Sequence, residues 1–244
     1  MSFAGKRYWL VGASEGLGLA LAHALKARGA EVVLSARGAE GLALASAELG
    51  GAKAVPVDVA SRVDVARAAA EVGPVDGVVF LAGVYWPMTA QEIDAEKLEA
   101  MCNVDFTGCA RVVAEVLPAM VAKGAGHLVI TGSLSGYRGL PGAVGYAASK
   151  AGAMVLAECL YADLRGTGVK VQLANPGFIA TRLTAKNEFK MPFLMQPEEA
   201  AAHMIRLMES KRFKASFPGL FALLFRLGNF LPDWAYYRLF APKS

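Results

Sequence analysis

The sequence predicts a doubly wound α/β fold, in which a parallel β-sheet is covered by helices on both faces. Short apolar runs alternate with longer segments of helical periodicity along most of the chain. This alternation is typical of βαβ units, whose crossovers are right-handed and whose strands are parallel. The run at 78–81 is apolar without interruption, as expected of a strand buried on both faces.

Six strands and three long helices can be placed on this pattern in chain order. The expected strands are 7–11, 31–36, 52–57, 77–81, 127–131 and 170–174. The expected helices include 17–28, 105–122 and 146–164. No linker or repeat divides the sequence, so we expect one domain over 1–244, with 182–244 forming a substrate lid and an apolar, basic C-terminal extension.

Composition narrows the class of protein. The chain has 244 residues, of which 55% are hydrophobic and 19% charged, which suits a globular domain. Its three cysteines lack metal-binding spacing and fit a reducing, cytoplasmic compartment, and its three scattered histidines predict no metal site. The first apolar run, 8–13, is too short for a secretory signal.

The net charge of +4 is concentrated in the tail. Segment 210–244 has a local charge of +5, because it has six basic residues and Asp233 as its one acid. The basic residues are Lys211, Arg212, Lys214, Arg226, Arg238 and Lys243. Nucleic-acid binding requires basic charge spread over a domain face, so we expect no nucleic-acid partner.

A glycine-rich turn follows the first strand and opens a helix: Gly12-Ala13-Ser14-Glu15-Gly16-Leu17-Gly18. Glycines allow the backbone to approach a pyrophosphate, and the helix N-terminus receives its charge. An ordinary tight turn is the alternative. The position between strand and helix favours a dinucleotide site.

The second strand ends in Ala36-Arg37, where an NAD-dependent enzyme usually has an acid. Without that acid nothing repels a 2′-phosphate, and the guanidinium of Arg37 can bind it. We therefore expect a preference for NADP (NADPH), with NAD as the second choice. Against this stand a merely solvated Arg37 and the negative charge of Glu15 in the glycine loop.

Tyr146 and Lys150 lie one helical turn apart, and Ser133 precedes Tyr146 by thirteen positions. A phenol has an ordinary pKa of about 10, and a nearby ammonium group favours the phenolate and lowers that pKa. Tyr146 would then act as general acid or base while Ser133 holds a carbonyl oxygen. Alone, such a pair is more often a tyrosine packed over a lysine stem.

Taken together, the ordered motifs identify the chain as similar to the short-chain dehydrogenase/reductase family, in its compact branch. The resemblance covers 6–182 and rests on Gly12–Gly18, Asp58-Val59, Leu81-Ala82-Gly83, Asn103-Val104, Ser133, Tyr146 with Lys150, and Asn175-Pro176-Gly177 through Thr181. It implies one Rossmann-type domain that transfers a hydride between NADP(H) and a carbonyl or secondary alcohol.

The resemblance also implies roles for individual residues. Asp58 would bind the adenine amino group beside Val59, and Ala82 and Gly83 would border the adenosine ribose. Lys150 would hold the nicotinamide ribose, and Asn103 would anchor a proton-relaying water. The residues expected around the nicotinamide are Pro176, Gly177, Ile179 and Thr181.

Three points depart from the pattern or stay open. Phe80-Leu81 stands where the family has two asparagines, which affects the central sheet rather than the chemistry. Ser135 competes with Ser133, but the spacing to Tyr146 and Gly136 favour Ser133. Without the other motifs, Asn103 would be a mid-helix residue that bonds locally.

The apolar segments near the C-terminus suggest a lipophilic substrate. The stretch 187–197 predicts either a lid or a packed corner. The charge-free stretch 215–225 is too short to span a bilayer. Segment 215–240 would instead lie at a membrane surface, anchored by Trp234, Tyr236 and Tyr237, or cover the substrate mouth or a partner subunit. We expect a cytoplasmic protein with peripheral membrane contact.

Rival functions are a catalytically silent NADP-binding regulator, a membrane scaffold, and an epimerase or dehydratase of the extended branch. An epimerase would need a larger C-terminal domain, and a scaffold leaves the catalytic set unexplained. By resemblance, the chain forms a homodimer or homotetramer through the helices that follow Asn103 and Tyr146.

Overall fold

The computed structural model describes residues 2–187 and 189–240, and a sheet of seven parallel strands lies at its centre. In chain order the strands are β1 (Arg7–Val11), β2 (Glu31–Ser35), β3 (Lys53–Ala54), β4 (Gly77–Phe80), β5 (Gly126–Thr131), β6 (Val169–Pro176) and β7 (Lys214–Phe217). Their spatial order is β3-β2-β1-β4-β5-β6-β7, so the winding reverses between β1 and β4.

The helices connect these strands and continue past the last one. They are α1 (Gly16–Lys26), α2 (Ala39–Glu48), α3 (Arg62–Val72), α4 (Ala95–Met101), α5 (Gly108–Lys123), α6 (Val144–Asp163), α7 (Pro197–Glu209), α8 (Gly219–Gly228) and α9 (Asp233–Phe240). A π-helical turn, Cys102–Thr107, joins α4 to α5. The doubly wound fold with an apolar helical extension is confirmed.

Two apolar layers enclose the sheet, because alternate strand residues point to opposite faces. Leu10 packs with Leu21 of α1 and Met204 of α7 on one face. Trp9 packs with Val65 of α3 and Val112 of α5 on the other. Burial on both faces explains why the strands are apolar throughout rather than alternating.

Two strands differ from the expectation. The strand expected at 52–57 is reduced to two residues, although the amides of Val55 and Val57 still donate to β2 and the residue after it at 2.9 and 3.0 Å. Pro56 has no N–H and interrupts the ladder. The edge strand β7 was not predicted, since Lys214-Ala215-Ser216-Phe217 has neither an apolar run nor clean alternation.

Local signals set several helix ends. The Ser61 hydroxyl accepts from the Asp64 amide at 3.2 Å and caps α3, and the Asp94 carboxylate accepts from the Lys97 amide at 3.1 Å and caps α4. Helix α7 begins with Pro197, which needs no N–H partner in the first turn.

Helices α8 and α9 extend the fold beyond the sheet. Arg138, in the loop before α6, donates to the carbonyls of Gly228 at 2.9 Å and Leu231 at 2.8 Å and pairs with Asp233. Among the described residues, none of the helices combines the length and apolarity needed to cross a bilayer. Lys243, counted in the basic tail, lies outside the described residues.

The described part of the chain contains no cluster of three His, Cys, Asp or Glu side chains able to hold a metal ion. The cysteines are free thiols. Cys109 is buried in α5, whereas Cys159 is exposed on α6.

Candidate active site

The predicted motifs meet at one edge of the sheet. Gly12 follows β1, Ala82 follows β4, Ser133 follows β5 and Gly177 follows β6. The strands are parallel, so their carboxyl ends share this edge, and the winding reverses there between β1 and β4. In doubly wound sheets a ligand crevice forms at this point.

The glycine loop is packed too tightly for side chains. Gly12 has φ +97°, and a Cβ there would lie 2.5 Å from the Ala82 backbone nitrogen. A Cβ on Gly18 would lie 2.0 Å from the Gly12 carbonyl oxygen. Real Cβ atoms do not approach so closely, so both positions require glycine. The start of α1 is thereby held against the ends of β1 and β4.

The N-terminus of α1 is electrostatically suited to a pyrophosphate. Its first turn contains no acid. The carboxylate of Glu15 is paired with Arg182 at 2.8 Å, and a Cβ on Gly16 would lie 2.9 Å from the Thr181 side chain. The glycine loop therefore contacts the loop after β6, and the helix N-terminus remains available to an anion. Ser14 and Leu17 lie half-buried within this loop.

Arg37 and Asp58 lie side by side at the same edge. The Val57 amide donates to the Ala36 carbonyl at 3.0 Å. Arg37 and Asp58 are the residues that come directly after this hydrogen-bonded pair. Arg37 is exposed, and the Asp58 carboxylate accepts from the Ala60 amide at 3.0 Å. Val59 is buried against the start of α5. These residues fit the adenosine end of a dinucleotide.

The side chain of Ser133 is held in place by Ser135, the other serine considered for its role. Its oxygen accepts from the Ser135 amide at 3.2 Å and from the Ser135 hydroxyl at 2.9 Å. Both lone pairs of Ser133 are then used, and its own hydrogen can be donated elsewhere. A Cβ on Gly136 would lie 2.6 Å from Met154 Sδ and 3.0 Å from the Ala151 nitrogen, so the loop rests directly on α6.

Tyr146 and Lys150 lie on one face of α6. The Lys150 Nζ atom is 5.7 Å from the centre of the Tyr146 ring, and it donates to the Thr131 carbonyl at 3.3 Å. Lys150 is buried, whereas Tyr146 is half-buried. Tyr85 packs edge-on against Tyr146, with ring centres 5.0 Å apart.

The pKa of Tyr146 is shifted upward, whereas the sequence predicted that Lys150 would lower it. Burial raises the pKa of Tyr146, while the charge of Lys150 and the hydrogen bond with Ser133 lower it and Asp105 raises it, and the net direction is upward. Burial lowers the pKa of Lys150, but Asp105, Tyr146 and Cys109 raise it above its ordinary value. The pair at neutral pH is a protonated phenol beside an ammonium group.

The expected relay residue, Asn103, makes its side-chain hydrogen bond with Arg111. Its side-chain oxygen accepts from Arg111 at 2.7 Å, and Arg111 also donates to the Val59 carbonyl at 3.0 Å. The polar group beside Lys150 is instead Asp105, which is fully buried. Sequence reasoning missed this residue. The available signal was an acid in the otherwise apolar helical run Val104-Asp105-Phe106.

The nicotinamide residues of the sequence prediction border an aromatic wall, formed by Phe178, Phe189, Phe193 and Phe221. The ring centres of Phe178 and Phe189 are 5.7 Å apart, and those of Phe193 and Phe221 are 5.5 Å apart. A Cβ on Gly177, which follows Pro176, would lie 3.1 Å from Phe221 and 3.3 Å from Leu134. Leu134 follows Ser133 in sequence, so the aromatic wall lies next to Ser133.

The loop that carries part of this wall is tied to the site at both ends. The Tyr85 hydroxyl donates to the Asn187 side chain at 2.9 Å. At the other end Met195 is buried, and the Ala180 amide donates to its carbonyl at 2.9 Å, beside Ile179. Phe189 and Phe193 between them are 54% and 50% exposed, so their rings are only partly covered by the wall.

Comparison with known proteins agrees with this geometry. Residues 6–191 match the family model described as short chain dehydrogenase. An uncharacterized oxidoreductase of Myxococcus xanthus is 37% identical over 236 residues, which are 92% of this chain and 92% of that protein. The ketoacyl reductase HetN of a Nostoc species is 30% identical over 219 residues, 85% of this chain and 76% of that protein.

A solved structure is similar over its whole length. The crystal structure of a short chain dehydrogenase from Burkholderia cenocepacia in complex with NADP superposes with a TM-score of 0.87 at 25% identity, covering 100% of both chains. The family model spans well over half of the chain. This chain therefore belongs to the short chain dehydrogenase family, and it is an oxidoreductase that acts on the CH–OH/C=O couple with NAD(P).

Proposed function

We propose that the chain reduces a lipophilic carbonyl compound with NADPH, using Tyr146 as the proton donor and Ser133 to bind the carbonyl oxygen. One observation carries the proposal. Ser133, Tyr146 and the buried ammonium group of Lys150 meet at the sheet edge that also carries the glycine loop, in which Gly12 and Gly18 have no room for side chains. A phenol, a hydroxyl and a cation in this arrangement can stabilise an oxygen that becomes negative.

The residues divide the reaction between them. Bound NADPH supplies the hydride to the carbonyl carbon. Tyr146 donates its proton to the developing alkoxide, and the free hydrogen of Ser133 is donated to the same oxygen. The ammonium group of Lys150 stabilises the phenolate left behind, which is then reprotonated from solvent.

Substitution of the phenol tests this assignment. Tyr146→Phe is expected to lower kcat for carbonyl reduction about 10³-fold, because the proton donor is lost, while NADPH binding changes little. Tyr161→Phe is the matched control, since Tyr161 stacks on Phe213 away from the site. Near-normal turnover by Tyr146→Phe would contradict the assignment.

The main alternative is an NADP-binding regulator without catalysis. Its signature is tight NADPH binding together with no oxidation of NADPH by a broad panel of ketones and aldehydes. The intact catalytic set favours the enzyme.

The preference for NADPH is supported by Arg37, which is exposed at the carboxyl end of β2 with no acid beside it in sequence. The negative charge of Glu15 in the glycine loop was the main argument against NADPH. The ion pair between Glu15 and Arg182 offsets that charge. The Burkholderia structure contains NADP. Arg37→Ala is expected to raise KM for NADPH at least tenfold and leave KM for NADH unchanged. Arg212→Ala, an exposed arginine just before β7, is the control.

The aromatic wall supports an apolar substrate. Closure of the half-exposed loop over a hydrophobic chain would bury Phe189 and Phe193 and exclude water from the reacting carbon. The name of the Nostoc relative points to a ketoacyl group as the substrate class. A series of ketoacyl thioesters is expected to show kcat/KM rising with chain length, and Phe193→Ala is expected to flatten that rise.

We also propose that α8 and α9 contact an anionic lipid surface. Leu220, Leu223, Leu224 and Leu227 repeat at helical spacing along one face of α8 and are 45–68% exposed. Phe230 and Trp234 continue this surface at 86% and 73% exposure. The adjacent charges favour anionic lipid, because Arg226 and Arg238 are exposed and the acid Asp233 is paired with Arg138.

Vesicle flotation tests the lipid contact. The full chain is expected to float with vesicles of phosphatidylcholine and phosphatidylserine and to float less with phosphatidylcholine alone. The double substitution Leu224→Glu and Leu227→Glu should abolish flotation. Leu44→Glu, which changes another exposed leucine at 67% exposure, should not. Equal flotation of both variants would eliminate the lipid surface.

Homo-oligomer formation through α5 and α6 is the remaining proposal. The outer side of this helix pair exposes Val144 and Val155 at 36% and 57%, and Phe106 just before α5 at 37%. Val155→Glu is expected to reduce the mass measured by light scattering to that of a monomer. Val63→Glu, on α3, should leave the mass unchanged.

A further inference from the structure

The side chain of Asp105 is an acid buried near Lys150. It lies in the π-helical turn Cys102–Thr107, and its exposed fraction is 0%. One carboxylate oxygen accepts from the Val84 amide at 2.7 Å. Over residues 2–187 and 189–240, the other oxygen has no hydrogen-bond partner. Such a group is costly to bury and is usually retained for a function.

Asp105 and Lys150 face the same point of the crevice. A Cβ placed on Gly83 would lie 3.5 Å from an Asp105 carboxylate oxygen and 3.5 Å from Lys150 Nζ, so the two charged groups are no more than 7.0 Å apart. Gly83 leaves this space open. The hydroxyl of Ser149, although near, donates to the Tyr146 carbonyl at 2.9 Å.

The other titratable groups packed around Asp105 are neutral at physiological pH. From α5, Cys109 interacts with Lys150, and burial raises the pKa of that thiol to about 12. From α6, Tyr146 is a phenol whose pKa is raised. After β4, Tyr85 packs on Tyr146, and burial raises its pKa as well. Asp105 and Lys150 are therefore the two charged groups of this cluster.

The charge of Asp105 opposes that of Lys150 at the phenol. Burial raises the pKa of Asp105 to about 6, with Lys150, the Val84 amide and the nearby Ser149 hydroxyl acting in the opposite direction. The carboxyl group is thus mostly ionised at pH 7 and becomes neutral below about pH 6. When ionised, it makes the phenolate of Tyr146 less favourable.

We propose that Asp105 is a positioning residue that keeps the Tyr146 phenol protonated at neutral pH and so adapts the site to carbonyl reduction. In that direction the C=O bond becomes a C–O bond as hydride from NADPH forms the new C–H bond, and the phenol proton forms the O–H bond. An asparagine in its place would leave Lys150 unopposed and favour the phenolate, which alcohol oxidation needs. The inference rests on the proposed function and adds its preferred direction.

The test is the isosteric substitution Asp105→Asn, which keeps an acceptor for the Val84 amide and removes the charge. We expect the alkaline limb of kcat/KM for reduction to move to lower pH by about one unit. The ratio of alcohol oxidation to carbonyl reduction at pH 7 should rise about tenfold, and the difference from wild type should disappear below about pH 6. Superimposable pH profiles, or a shift to higher pH, would overturn the proposal.

Two further measurements separate this inference from other failures. Asp163→Asn, an exposed acid at the end of α6, is the charge-matched control and should leave the profile unchanged. Ultraviolet titration of the wild type minus Tyr146→Phe reports ionisation of the phenol without any substrate. We expect the phenol of Tyr146 to ionise above about pH 10. Ionisation near neutrality would refute the inference even if Asp105→Asn fails to fold. If the proposed function itself is wrong, Tyr146→Phe will instead show normal turnover.

Discussion

The free energy of unfolding should depend on pH through one buried histidine, His127. This residue lies in β5, fully buried, where its ring bonds the Tyr8 hydroxyl at 2.8 Å and the Gln172 side-chain oxygen at 2.8 Å. The Gln172 amide nitrogen is already used by backbone carbonyls. The network therefore places a proton on Nε2, and the Tyr8 hydroxyl can donate to Nδ1 of the neutral ring. Burial, and secondarily the charge of Lys170, lower the pKa of His127 to about 4.

The size of the effect follows from the two pKa values. An unfolded histidine has a pKa of about 6.5, so the unfolded chain binds the proton more readily. Stability from the neutral ring is complete above about pH 6.5 and is lost as the pH falls toward 4. A difference of about 2.5 pH units corresponds to roughly 3 kcal/mol. Asp105 acts in the opposite direction, because its raised pKa means that the folded protein binds that proton more readily as the pH falls.

A comparison of two proteins isolates the histidine, since both retain Asp105. The free energies of wild type and His127→Gln should be measured by urea unfolding between about pH 7 and pH 4. We expect the stability advantage of wild type to shrink by roughly 3 kcal/mol over this range. A wild-type advantage that stays constant with pH would refute the reasoning.

Three other substitutions have defined outcomes. Gly18→Ala places a Cβ 2.0 Å from a backbone oxygen and should weaken NADPH binding at least tenfold by fluorescence titration, whereas Gly38→Ala, with nothing within 4 Å, should not. Arg138→Met removes the bonds that hold α8 and α9 and should lower stability by about 2–4 kcal/mol, with faster limited proteolysis of these helices. Ser135→Ala removes a hydrogen-bond donor to Ser133 and should reduce kcat/KM about tenfold, less than Ser133→Ala does.

The sequence was informative where one physical requirement dominated. Strands β1, β2, β4, β5 and β6 were located to within two residues at each end, because a sheet covered on both faces needs continuous apolar runs. The glycine loop was recognisable because two of its positions, Gly12 and Gly18, must lack side chains.

Other features depend on contacts between distant segments. Strand β7 pairs on one side with β6, and its residues alone carry no strand signal. The π-helical turn changes which side chains of 102–107 point inward, so a regular helical pattern could not distinguish Asp105 from Asn103. The pKa of Tyr146 is raised by burial and by Asp105, and neither effect is visible from the spacing to Lys150.

The anchoring of α8 and α9 by Arg138 has a consequence for protein engineering. Arg138 belongs to the same loop as Ser133, while its partners Gly228, Leu231 and Asp233 belong to the C-terminal segment. A chimaera that imports only a relative's last helices would keep this guanidinium bonded only if the new helices place two carbonyls and a carboxylate in the same positions. Transplants intended to alter substrate range should therefore exchange 134–141 together with 218–240, as a single module.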